Sequence, residues 1–228
     1  MVGNNKVYIF QNPTEFDIII RKTIPYYETM LQAIKEYIPF SKDNPIIGLD
    51  VGCGTGSVTK MLLAHFPLLR IDCLDFSLDM LAALQKNLND FVDHYSIINQ
   101  DIRDFKLSGQ YNLIVSNLSI HHINSLTKKR EFYEKIFDLL LPNGVFVVGD
   151  MFLGANSHLN EVYEEKWKKF NISCGGHPTE VHKKHEEMKD VDFPSSFISQ
   201  LNILQQIGFR DVDCVFKYYN FGVIGCVK

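Results

Sequence analysis

Short apolar runs alternate with longer stretches whose apolar residues recur every three or four positions, and this alternation holds through the first two thirds of the chain. The runs Ile46–Asp50, Leu68–Asp75, Tyr95–Asn99, Tyr111–Ser116 and Val145–Asp150 predict five strands, the last apolar enough to be buried on both faces. Helical patterns lie between them. Pro13 to Ile38 gives two stretches split at Pro25, and Ser57 to His65 gives a third. Ser77 can cap a fourth that runs to about Asn89, with Leu78, Leu81, Ala82, Leu84 and Leu88 on one side. A helix from about Thr127 to Leu141 meets a stop signal at Pro142-Asn143-Gly144.

Strands joined by helical crossovers imply an α/β fold with a doubly wound, mostly parallel sheet and helices on both faces. The ending differs. After a helix over about Ser195–Ile207 and the turn Gly208-Phe209, the runs Val212–Tyr218 and Phe221–Val227 lie so close that only an antiparallel hairpin joins them. The sheet then has seven strands. Between Phe152 and Pro194 the pattern weakens and polar residues rise. The expectation is a single domain over residues 1–228, with residues 1–40 as an N-terminal helical roof and 152–194 as a helical insertion after the fifth strand.

With 46% hydrophobic and 22% charged residues, 228 residues suit one globular core. No apolar run approaches the roughly 20 residues that span a bilayer. The N-terminal residues lack a signal-peptide core, and five scattered cysteines suit a reducing compartment, so a cytoplasmic setting without membrane attachment is expected. Cys73, Cys214 and Cys226 fall in predicted strands as small buried hydrophobes. The net charge of −4 argues mildly against a protein that grips nucleic acid by its backbone. The short basic clusters Lys128-Lys129-Arg130 and Lys166 with Lys168-Lys169 look like solvated helix faces.

The candidate chemistry sits at strand ends. Leu49-Asp50-Val51-Gly52-Cys53-Gly54-Thr55-Gly56 breaks a buried strand into three glycines, which lets backbone approach a ligand closely. The Gly52-x-Gly54-x-Gly56 spacing is neither a dinucleotide fingerprint nor a P-loop. Asp50 precedes this turn and Asp75 closes the next strand, at the sheet edge where such folds bind ligands. Asp101 with Ile102 follows the third strand, where an acid can serve a ligand or start a turn. Asn117, His121 and His122 follow the fourth. Imidazole titrates nearest neutral pH, so His121 and His122 are general-base candidates, of which one at most faces the cleft. The alternative for either histidine is a hydrogen bond to backbone. Cys174, His177, His182 and His185 could bind zinc by residue type, but a solvated charged helix is the favoured reading, and no metal is expected.

The glycine turn and the two strand-end acids resemble those of class I S-adenosylmethionine (SAM) methyltransferases. The resemblance implies that the turn packs on the methionine part of SAM, Asp75 accepts from the ribose hydroxyls and Asp101 from the adenine amino group. Phe16-Asp17, Ile24-Pro25-Tyr26-Tyr27, Asp101-Ile102-Arg103-Asp104, Gly208-Phe209 and Tyr219-Asn220-Phe221-Gly222 are similar to the carboxy-SAM synthase group, whose small relatives are sometimes labelled tRNA wobble-uridine 5-oxyacetate methyltransferases. By that likeness Tyr27, Asp50, Gly52, Cys53, Gly54, Gly56, Asp75, Phe76, Asp101, Ile102 and Asn117 contact the cofactor, and S-adenosyl-L-homocysteine is the product.

One departure bears on the reaction. The synthase uses an arginine before Gly-Phe to hold a carboxylate, and Ile203 stands at that place, with Asn202 and Gln205 nearby. An apolar side chain cannot replace paired guanidinium donors. Ordinary methyl transfer to a small-molecule acceptor is therefore favoured. The alternatives are methylation of a tRNA wobble uridine and a SAM-binding protein without turnover. Relatives of this kind often pair as homodimers, and the 12% aromatic content can supply such an interface.

Overall fold

A computed structural model describes residues 13–228. The strands are β1 (Ile46–Val51), β2 (Leu69–Asp75), β3 (Tyr95–Asn99), β4 (Tyr111–Asn117), β5 (Leu140–Met151), β6 (Arg210–Tyr218) and β7 (Phe221–Val227). They form one sheet in the order β3-β2-β1-β4-β5-β7-β6. The first five run parallel, while β7 is antiparallel to both β5 and β6. The hairpin turns at Tyr219-Asn220, with Tyr219 in the left-handed region (φ 50°), so β7 folds back between β5 and β6. This is the seven-stranded Rossmann-like sheet that the strand pattern predicts.

The helices are α1 (Pro13–Thr23), α2 (Tyr27–Tyr37), α3 (Ser57–His65), α4 (Leu78–Asn87), α5 (Leu126–Leu139), α6 (Ser157–Ser173), α7 (Pro178–Met188) and α8 (Phe197–Ile207). Side chains of α2, α3 and α4 bury against one face of the sheet, and those of α5 and α8 against the other. Four helix starts carry a side-chain acceptor. The Ser77 hydroxyl accepts from Met80 N–H, Ser125 from Lys128, Asn156 from Leu159 and Ser196 from Ser199. Gly208 ends α8 in the left-handed conformation (φ 117°), which costs glycine least.

The polar stretch after β5 forms α6 and α7. Helix α1 packs on α6, and Asn171 Nδ2 donates to the Thr23 carbonyl at 3.2 Å, so these elements join over the carboxyl ends of the strands. The first twelve residues of the expected N-terminal roof lie outside the described residues.

Four details depart from the sequence pattern. Helix α5 ends at Leu139, close to the predicted end, but β5 begins at once at Leu140 and takes in Pro142-Asn143-Gly144 as an irregular stretch, where the register against β4 shifts and Asn143 takes φ 62°. Leu78, the first residue of α4, is 70% exposed, while Leu81 and Leu84 are buried. Cys214 is exposed on the edge strand β6. Lys129 is fully buried instead of solvated, with Nζ donating to the Phe193 carbonyl (2.5 Å) and Ser195 Oγ (3.0 Å).

In the middle of the sheet, a Cβ on Gly149 would stand 2.5 Å from Asn117 Oδ1 and 2.7 Å from Met30 Cε. Gly149→Val should therefore lower stability by about 1–3 kcal/mol through overpacking, measured as a shift in the urea midpoint with unchanged slope.

Candidate functional site

Pairing of β1 with β4 runs to Asp50 and Val115, and the glycine turn follows directly at the carboxyl end of β1. Gly52, Gly54 and Gly56 all have positive φ (74°, 52° and 83°). Gly52 is required by crowding as well, since a Cβ there would come within 2.5 Å of Ser119. The Ser116 and Ser119 hydroxyls lie 2.7 Å apart, with the Val51 carbonyl 2.8 and 3.1 Å away as acceptor, which ties the tip of β4 to that of β1. At Gly54 a Cβ would meet nothing within 4 Å, because that side of the turn faces open cavity. Gly56 serves a different purpose. It does not line this cavity, and a Cβ there would press on Leu84 of α4 at 3.0 Å.

Asp75 holds the turn in place. Its carboxylate accepts from Gly54 N–H and from Ser77 N–H, each at 2.9 Å. Burial raises its pKa, while these backbone donors oppose the rise. Asp50 lies deeper, 1% exposed, and accepts from Thr59 Oγ1 at 2.7 Å. Burial pushes its carboxyl up to about 7, only partly countered by Thr59. Asp17 of α1 ties the helical roof to the same turn, accepting from Thr55 Oγ1 (2.7 Å), Ser57 Oγ (3.0 Å) and Asn87 Nδ2 (3.3 Å).

The cavity above this turn has a volume of about 560 Å³. Of the residues expected from sequence, Tyr27, Asp50, Gly52, Cys53, Gly54, Asp75, Phe76, Asp101, Ile102 and Asn117 line it, as do His121 and His122; only Gly56 is elsewhere. Phe76 is part of its wall and 42% exposed, so it is not a core residue. Asp101 is gripped by its neighbour: Arg103 donates to both carboxylate oxygens, which holds the acid below the usual carboxylate range. Asn117 Oδ1 is buried and has no hydrogen-bond partner. Burial pushes the Tyr27 phenol up to about 12.

Both histidines face the cavity, against the expectation that one at most would do so. They occupy a single 3-10 turn (Ile120–His122) after β4, and their rings lie 4.1 Å apart. His121 Nδ1 stands 2.5 Å from Asp150 Oδ1, and its Nε2 lies 3.7 Å from Asp192 Oδ1. His122 Nδ1 is 3.2 Å from the same Asp192 oxygen. Burial alone would lower the His121 pKa, but the Asp150 carboxylate outweighs it and the net shift is upward. Asp192 is a residue that sequence reasoning missed. It sits in a polar segment after α7, and no periodic or motif signal marks it.

Cys174, His177 and His182 join no ligand-spaced group among the described residues. His185 lies near Glu164 and packs beside Trp167 instead. Ile203 is buried in the core on α8 and does not reach the cavity. Among the described residues, no helix is long and apolar enough to cross a membrane.

Sheet order, glycine turn and strand-end acids together define a class I SAM-dependent methyltransferase-like enzyme, whose cofactor is SAM. Comparison with known proteins agrees. A family model described as "Methyltransferase domain" matches residues 49–146, from within β1 to within β5. The chain is similar to carboxy-S-adenosyl-L-methionine synthases, 25% identical to that of Nautilia profundicola (93% of this chain, 90% of that protein) and 28% to that of Methylococcus capsulatus (94% and 90%). Among solved structures, human N-acetylserotonin methyltransferase in complex with SAM superposes with a TM-score of 0.64 at 15% identity, covering 100% of this chain and 60% of that one. An O-methyltransferase family protein from Burkholderia thailandensis gives 0.67 at 13%, covering 95% and 59%. The chain spans little more than half the length of these two solved proteins, and the likeness to them is one of fold.

SAM fits the residues present. Gly54 presents a face with no Cβ to open cavity, Asp75 offers a buried carboxylate beside it, and Asn117 Oδ1 is a buried acceptor still without a donor.

The Asp50 carboxyl gives a stability signature. Its pKa is near 3.8 when unfolded and about 7 when folded, so the folded chain holds a proton that the unfolded chain releases. Stability from this group is full below pH 4 and is lost as pH rises through 7, at up to about 1.4 kcal/mol per unit. Urea midpoints of Asp50→Asn against the natural chain should shift in the variant's favour between pH 4 and 8 and stay level above that.

Proposed function

We propose that this enzyme transfers the methyl group of SAM to a small-molecule acceptor seated between the glycine turn and the roof. The observation that carries this reading is that one cavity contains both the glycine turn with Asp75 and the His121–His122 pair. Its acceptor side is walled by Ile20, Ile24, Met151, Trp167, Met188 and Phe221, an apolar lining that suits a compact organic molecule better than a polyanion. The net charge of −4 points the same way. Five unpaired cysteines fit a reducing, cytoplasmic setting.

In this reading Gly52, Cys53 and Gly54 approach the amino-acid part of SAM through backbone. Asp75 accepts from the ribose, Asp101 and Ile102 border the adenine, and Phe76 covers it. Asn117 Oδ1 accepts from the cofactor's amine, and Tyr27 closes the near wall. Bound there, SAM supplies a methyl group already activated on a sulfonium. The chain's own contribution is to orient the acceptor, exclude water and take its proton. His121 is the better placed of the two histidines to do so. Asp150 fixes its Nδ1 side, which leaves Nε2 as the nitrogen turned toward Asp192. His122, more exposed, borders the acceptor. Asp150 acts as a positioning residue.

Incubating the protein with methyl-labelled SAM and cell extract, followed by separation into RNA, protein and small molecules, tests the reading. Label among small molecules is expected. Nuclease-sensitive label in RNA would replace the proposed acceptor with tRNA, and confirmed SAM binding with no label in any fraction would favour a non-catalytic role. Asp75→Asn should weaken SAM binding about 10-fold or more in calorimetry, since a hydrogen bond to a charged acceptor contributes about 1.5–3 kcal/mol. With the acceptor in hand, His121→Gln should lower kcat by about 10²–10⁴ while SAM affinity stays within a few-fold.

A further inference from the structure

The turn after β4 and the segment after α7 bring two imidazoles and two carboxylates to one wall of the cavity. Three of their donor atoms converge. His121 Nε2 and His122 Nδ1 approach the same Asp192 oxygen at 3.7 and 3.2 Å. The ligating atoms of His121, His122 and Asp192 all lie within 4.8 Å of one another. Ligands about 2.0–2.2 Å from a common first-row metal ion stand roughly 3–4 Å apart, so this spacing needs little adjustment to close on an ion.

The fourth group, Asp150, touches the other nitrogen of His121 at 2.5 Å. A carboxylate behind a ligating histidine fixes its tautomer and strengthens it as a donor. Its oxygen is held in turn by Met151 N–H at 2.8 Å. Charge argues in the same direction. Two nearly buried carboxylates face two imidazoles, and a dication balances both acids while the imidazoles remain neutral ligands. Lys129 is the neighbouring buried cation, but its Nζ is turned to the Phe193 carbonyl and Ser195 Oγ.

The other ligand-spaced group among the described residues, Glu164, His185 and Glu186, differs. There Lys168 and Lys189 pair directly with the two glutamates, and no carboxylate is shown behind the histidine.

We infer that His121, His122 and Asp192 form a binding site for a divalent first-row transition-metal ion, with Asp150 holding His121 in its ligating tautomer. Two imidazoles and one carboxylate suit Zn²⁺, Co²⁺, Mn²⁺ or Fe²⁺ in preference to Ca²⁺ or Mg²⁺. Three protein ligands leave coordination positions open on the cavity side. A hydroxyl acceptor bound there loses its proton more readily. The nitrogen of His121 that holds an ion no longer takes a proton, so in the loaded enzyme coordination takes over the activating role that His121 has without metal. Because the histidines come from the sheet and Asp192 from the roof, the ion also clamps one to the other. This role in activating the acceptor rests on the methyl-transfer reading, but the site itself does not.

The test uses tag-free full-length protein stripped with a chelator and titrated with Co²⁺ in the absence of SAM. The expected result is one equivalent bound, visible d–d absorption with imidazole ligation, and a rise in Tm on adding Zn²⁺. His122→Gln, at a partly exposed position, and Asp192→Asn should each weaken Co²⁺ binding at least 30-fold, with the folded state checked by circular dichroism. His185→Gln should leave it unchanged. No saturable binding, binding indifferent to His122→Gln, or binding lost in His185→Gln would each overturn the site. SAM calorimetry on the same samples separates the readings. Intact SAM binding with no Co²⁺ site removes this inference alone, whereas a Co²⁺ site without SAM binding removes the methyl-transfer reading instead.

Discussion

The Asp75 carboxylate accepts from the backbone of Gly54 and of Ser77, and through those two bonds the end of β2 holds both the glycine turn and the first turn of α4. Most of the site depends on this junction. It fixes three left-handed residues in a conformation that only glycine adopts cheaply, and it directs the open face of Gly54 to the cavity. A carboxylate with several backbone donors tolerates burial that an isolated one would not. The same group is thus a structural tie and, in the proposed reading, the acceptor for the ribose, and neither use exhausts its lone pairs.

The roof is joined to this junction by polar contacts as well as by apolar packing, since Ile20, Ile24, Trp167 and Val181 belong to the same buried cluster as one face of the sheet. Asp17 collects Thr55, Ser57 and Asn87, linking α1 to the turn and to α4. On the far side, Lys129 reaches through the core to the carbonyl of Phe193, and Phe193 N–H donates to the His121 carbonyl at 2.7 Å. Buried polar ties of this kind are directional, and removing one partner leaves the other unsatisfied. They fix where the roof sits over the strands, which apolar packing alone would leave looser. The cavity between them is therefore shaped by a few named pairs.

In the proposed reading, the cofactor side and the acceptor side of the cavity differ in how they are built. The first is made of residues within a few positions of strand ends, on β1, β2, β3 and β4. The second adds residues from α1, α6, α7 and the segment after α7, which are distant in sequence, to Met151 and Phe221 of the sheet. A sheet with this order brings the strand ends together whatever follows β5, so the first half can be retained while the second varies.

That contrast explains what the sequence determined by itself. Periodicity located every strand to within a few residues, and the Gly52-Cys53-Gly54 turn, Asp75 and Asn117 could be read directly, because each lies at the end of an apolar run where backbone geometry is local. At Pro142-Asn143-Gly144 the helix end was legible, but not that β5 begins directly after it at Leu140, because the irregular stretch before Val145 carries no strand pattern. Lys129 misled because a lysine in a charged tripeptide carries no mark of the carbonyl it will meet sixty-four positions later. The burial of His121 against Asp150, and the convergence of Asp192 on both histidines, belong to tertiary structure alone. They depend on where a weakly patterned segment lands after two intervening helices, and no rule of spacing along the chain encodes that distance.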